Sequence, residues 1–82
     1  MAPARPEPIE ELERIVLTED LPAHRLQAGD IGTVVLVYAD GKGYEVEFCT
    51  LSGETIDVVT VDGKQIRRAA DAEIPHARRL AS

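Results

Sequence analysis

Tryptophan is absent from this chain, and its aromatic side chains are Tyr38, Tyr44 and Phe48 alone. A core with so few rings has to be aliphatic, built from valine, isoleucine and leucine. Side chains branched at Cβ are stiff and pack well on a pleated surface, so this composition favours strands. Cysteine is nearly missing too. Cys49 stands alone, which excludes a disulfide within the chain. No apolar run approaches the ~18 residues of a membrane-spanning helix. No charged-then-apolar signal segment opens the sequence, so a cytoplasmic location is expected.

Positive charge is scarce over most of the length. Residues 1–62 hold 13 acidic and 4 basic side chains, whereas residues 63–82 hold 2 and 5. The whole chain carries a formal charge of −6. A mostly acidic surface repels nucleic acid and anionic lipid, with the basic end as a local exception. At 82 residues there is room for one domain with a thin core and little depth for a catalytic cleft.

The order of segments points to an all-β domain. Residues 1–8 carry three prolines and read as a disordered leader; residues 9–70 form the domain; residues 71–82 make a basic C-terminal tail. Glu10–Glu13 predicts one turn leading into a strand at Arg14–Thr18. Glu19-Asp20-Leu21-Pro22 breaks the pattern and opens a long loop to Ala28, since proline cannot donate to a ladder. Gly29-Asp30 turns the chain into Ile31–Tyr38, apolar on both faces and therefore central, with Gly32 marking a bulge or a close backbone contact. Ile31, Thr33, Val35 and Val37 are expected on one face, and Gly32, Val34, Leu36 and Tyr38 on the other.

Asp40-Gly41 signals a hairpin into Tyr44–Thr50, where Tyr44, Val46 and Phe48 alternate with Glu45, Glu47 and Cys49. A turn at Leu51–Glu54 leads to Thr55–Val61. Asp62–Gln65 reads either as a further hairpin turn or as a 3₁₀ turn capped by Asp62, the preferred reading, before a short strand at Ile66–Arg68. A short turn or helix, opened by Asp71, and a mobile or extended basic end complete the chain. Strand, long loop, three strands joined by short turns and a final short strand fit a small SH3-like five-stranded barrel.

Three blocks carry a resemblance: Glu11–Pro22 (ELERIVLTEDLP), Leu26–Val35 (LQAGDIGTVV) and Gly43–Phe48 (GYEVEF). Together they resemble a domain-of-unknown-function family of short bacterial proteins, over roughly residues 9 to 68. They are similar in style to the SH3-like domain of the nitrile hydratase β subunit. The resemblance implies the barrel fold but no activity, cofactor or catalytic residue. It also implies relatives that sit beside toxin-like proteins.

The chemistry-bearing residues are few. His24, His76 and Cys49 could make a metal site only by converging in space, and their spacing does not suggest it. Cys49 beside Glu47 is poorly placed as a nucleophile. Gly41 and Gly43 bracket Lys42 but no helix follows, so they do not form a phosphate loop. No catalytic constellation emerges, and no cofactor is expected.

The working surface is therefore expected among Glu45, Glu47 and Asp57 on the acidic strand face, and Arg67, Arg68, Arg78 and Arg79 at the basic end. The acidic face suits a non-catalytic protein-interaction module, such as an accessory or neutralising, antitoxin-like partner of a neighbouring basic protein. The alternative is a nucleic-acid-binding module of the KOW type using the arginines, although such modules usually add aromatic residues. A metal-dependent enzyme on Glu45, Glu47 and Asp57 is a third, weaker reading. The basic end could equally pair with the chain's own acidic body. A homodimer is compatible with each reading.

Overall fold

Five runs of aliphatic residues become five strands: β1 Arg14–Leu17, β2 Ile31–Val37, β3 Gly43–Cys49, β4 Thr55–Asp62 and β5 Ile66–Arg68. They come from a computed structural model that describes residues 8–80. The leader expected over residues 1–8 thus falls, except for Pro8, outside the described residues. The strands are antiparallel in one sheet, in the order β4-β3-β2-β1-β5. The chain is all-β, with the succession of elements expected of an SH3-like barrel. Among the described residues no ladder joins β4 to β5, so these two form the edges. No helix of the described residues is long and apolar enough to cross a membrane.

Local chemistry explains each connection. Gly41 adopts φ +70° between β2 and β3, a conformation that costs glycine nothing. The 3₁₀ turn lies elsewhere than the sequence suggests. It occupies Pro22–His24, where Pro22 supplies the fixed φ and Arg25 in the left-handed region (φ 59°) ends it. Asp62–Gln65 is instead a single turn closed by the Gln65 N–H on the Asp62 carbonyl (3.1 Å). Asp62 Oδ1 accepts the Lys64 N–H (2.8 Å), so Asp62 caps the turn as expected, but this single i→i+3 bond makes a turn and not a 3₁₀ helix. The expected turn before β1 is present, with the Glu13 N–H on the Glu10 carbonyl (3.2 Å). After β5 the chain turns at Asp71–Ala72 and runs on without regular structure to Leu80; the helix option is not realised.

The core sits on the concave face. Its largest fully buried side chains are Ile15, Leu17, Val34, Val46 and Phe48, with Leu26 closing it from the long loop. Tyr44, Val46 and Phe48 alternate inward on β3 as the sequence pattern dictates. Gly32 faces Val46 and Phe48 so closely that a Cβ there would lie 2.5 Å from Val46 Cγ1. It is the close contact rather than the bulge.

Two bulges interrupt the period of two. On β2 the register skips Val35, between Val34↔Val46 and Leu36↔Glu45. On β4 it skips Ile56, between Phe48↔Asp57 and Cys49↔Thr55. Each extra residue reverses the face assignment beyond it. Val37 therefore packs partly against the core, as does Ile56.

Candidate functional site

The convex face of β2, β3 and β4 carries the residues of most interest. Opposed residues of antiparallel strands share a face. Glu45 lies between Leu36 and Thr60, and Glu47 between Thr33 and Val58. Arg14, opposite Thr33, adds a cation on the β1 side. The bulge turns two consecutive apolar residues outward, leaving Val35 40% and Leu36 42% exposed. Tyr38 and Val58 are exposed to a similar degree. Apolar side chains thus flank a central pair of carboxylates.

Hydroxyl groups orient those carboxylates. Glu45 Oε2 accepts from Thr60 Oγ1 (2.5 Å) and from the Tyr38 hydroxyl. Glu47 Oε2 accepts from Thr55 Oγ1 (2.5 Å). The Thr60 hydroxyl, and then that of Tyr38, hold the Glu45 carboxyl below its ordinary pKa. The same contact with Glu45 pushes the Tyr38 phenol up. In both glutamates no hydrogen bond falls on Oε1 among the described residues, so one oxygen of each is left to meet a partner.

Asp57 does not join them. It pairs with the buried Phe48 and so faces the concave side. His24 Nδ1, on the 3₁₀ turn, donates to Asp57 Oδ2 (2.8 Å) and ties the long loop to β4. The sequence alternation expects Asp57 on the face opposite Val58, and so it lies; what fails is its grouping with Glu45 and Glu47. His24 is used here, apart from His76. Among the described residues no three His, Cys, Asp or Glu side chains lie close enough together to hold a metal ion. Cys49 is exposed and unpaired.

Three of the four arginines at the basic end meet carboxylates of the same chain. Arg67 forks onto Glu73 (2.7 and 2.6 Å) and Arg68 onto Glu13 (2.5 and 3.1 Å). Arg78 forks onto Asp30 (2.8 and 2.5 Å). Arg79 is exposed, and its side chain has no ion pair among the described residues. Arg68 and Arg78 thus pair the basic end with the acidic body, whereas Arg67 pairs within the basic end itself.

Hydrogen bonds from Arg67, and then from the Ala70 N–H, lower the Glu73 pKa from 4.5 to about 2. A lowered acid pKa marks stabilisation that is complete above the unfolded value and lost as pH falls through the folded one. The turn after β5 should therefore loosen between about pH 4.5 and about pH 2. An NMR titration of the Glu73 side-chain carboxyl will show its midpoint near the lower value. A midpoint near 4.5 would mean that the Arg67 fork does not hold in solution.

Sequence reasoning missed Asp30. Burial raises its pKa, but hydrogen bonds from Arg78 and the Gln27 N–H, with the Arg78 charge, outweigh burial and leave it lowered. The signal was the turn at Gly29-Asp30, which reads as a backbone feature because its arginine partner lies 48 residues away.

No curated protein and no solved structure matches this chain significantly. Residues 11–68, the span from the turn before β1 to the end of β5, match a family described as a domain of unknown function, DUF4926. The three blocks of the sequence resemblance lie within that span, and the chain belongs to this family.

Proposed function

We propose that this domain is a non-catalytic, cytoplasmic protein-interaction module that docks a partner on the convex face of β2, β3 and β4. The observation that carries the reading is the bulge at Val35. Bulges re-aim side chains, and this one exposes Val35 and Leu36 beside two oriented carboxylates. Apolar surface beside two carboxylates, with Arg14 as a cation on the β1 side only, suits a partner with an apolar patch and lysine or arginine next to it. The net charge of −6 steers such a partner from a distance. An accessory or neutralising role toward a basic protein follows from the same complementarity. The nucleic-acid alternative has less behind it, because Arg67, Arg68 and Arg78 already meet carboxylates.

Affinity capture from the source cell tests this reading, using the wild-type chain beside a Val35→Ser/Leu36→Ser variant. These side chains are exposed, so the fold should survive; circular dichroism verifies it. A protein retained at low salt by the wild type is expected to fall by roughly tenfold or more with the variant, a loss of about 1.4 kcal/mol. The same set retained equally by both proteins would overturn the reading. RNA binding at about 50 mM salt, steeply weakened by added salt, would support the alternative.

A further inference from the structure

The segment from Glu73 to Leu80 has no regular structure, and each of its residues is exposed by backbone and side chain together. It is nonetheless pinned to the body of the domain at one point. Arg78 Nε donates to Asp30 Oδ1 (2.8 Å) and Nη2 to Oδ2 (2.5 Å), while Nη2 also reaches the Arg25 carbonyl (3.0 Å). The two side chains are 27% and 16% exposed, the most secluded of the ion pairs described.

The receiving side is built by the loop that leads into β2. Asp30 Oδ2 accepts the Gln27 N–H (2.9 Å), and the Asp30 N–H donates to the Gln27 carbonyl (3.0 Å). These contacts fix the carboxylate whether or not Arg78 is present. Arg25 sits in the left-handed region (φ 59°), which sets the direction of its carbonyl. A carboxylate and a carbonyl so placed match the planar fork of a guanidinium; an ammonium can satisfy only one of these directions well.

Beside the fork lies a groove of about 680 Å³ between the segment and the core side of the sheet. Leu26, Phe48 and Ile56 line it from the core, and Leu80 from the segment.

We propose that this groove reads an extended segment of a partner protein in which an arginine is followed two residues later by an apolar side chain. In the free chain Arg78-Arg79-Leu80 fills the same role in cis. The site is distinct from the convex face, and its success or failure is independent of that reading. The acidic body favours a basic segment, and two whole chains of net charge −6 repel one another, which favours a separate basic partner over a second copy.

The test uses the full chain and a blocked synthetic peptide spanning residues 74–80, titrated by NMR. A site occupied by its own segment binds an outside competitor more weakly by the fraction left open. The Arg78→Ala protein is therefore expected to bind the peptide roughly tenfold more tightly than the wild type. Replacing the peptide arginine that matches Arg78 with lysine should weaken binding to the Arg78→Ala protein roughly tenfold, in line with the loss of a forked contact. Val35→Ser/Leu36→Ser should leave peptide affinity unchanged. Equal affinity of wild type and Arg78→Ala, or of the arginine and lysine peptides, would overturn the proposal. So would a wild-type dimer that Arg78→Ala dissolves, which would indicate exchange of the segment between copies.

Discussion

Truncating Phe48 to alanine is expected to lower stability by about 3–5 kcal/mol, enough to unfold much of the population at ambient temperature. Phe48 is 2% exposed and belongs to the buried core cluster. Its loss removes apolar contact and leaves a cavity that the surroundings can only partly fill. Those surroundings are rigid: Val34 and Val46 are stiff at χ1, and each belongs to a strand hydrogen-bonded on both sides. No other phenylalanine and no tryptophan is present to swing into the gap. Urea denaturation will show an earlier midpoint with little change in slope. A melting temperature lowered by less than about 5 °C would mean that the core collapses around the gap, since 1 kcal/mol corresponds to roughly 4–8 °C in a domain this small.

Gly32→Val is expected to destabilise as well, by about 1–3 kcal/mol and toward the upper end. Intrinsic preference argues the other way, because valine favours strands over glycine by up to ~1 kcal/mol. Contact decides the sign. An added Cβ would stand 2.5 Å from Val46 Cγ1, 2.8 Å from Phe48 Cε2 and 3.0 Å from the Glu47 carbonyl oxygen. The first two atoms are packed in the core and the third belongs to backbone, so none can retreat freely. The comparison with Gly32→Ala in a Phe48→Leu background is diagnostic. The smaller side chain makes room for the new Cβ, so the double variant should be more stable than the sum of the single losses predicts. Strict additivity would show that the clash is absorbed elsewhere. Thermal denaturation of the four proteins measures it.

The strands were legible in the sequence because β2, β3 and β4 are runs of strand-forming residues bounded by glycine turns, and β3 keeps a simple period of two throughout. Tyr44, Val46 and Phe48 announce their burial by alternation alone, and Gly32 announces either a bulge or a close approach, between which the contact with Val46 and Phe48 decides for the second. The bulges were not legible. Skipping Val35 or Ile56 costs one unpaired residue and leaves composition unchanged, yet it determines which apolar side chains reach solvent. The candidate surface was therefore half visible: Glu45 and Glu47 could be placed, but Val35 and Leu36 beside them could not. Asp57 was placed on the right strand and grouped with the wrong neighbours, because its partner His24 comes from a loop whose path no periodicity describes. The arginines were recognised as a cluster of charge, whereas their destinations depend on tertiary structure: Glu13 on the β1–β5 ladder, and Glu73 and Asp30 on the path of the chain after β5.

The pairing of β1 with β5 has a further consequence, in the order of assembly. β2, β3 and β4 are joined by short turns, so their ladders close small loops and form early. The β1–β5 ladder brings together groups as distant as Glu13 and Arg68, 55 residues apart in sequence. Closing a loop of that size is entropically slow and follows nucleation of the three-strand meander. Substitutions in the meander should then act mainly on the folding rate. Those in β5 should act mainly on the unfolding rate, so how long the native state persists is set at the edge where the first and last strands of the chain meet.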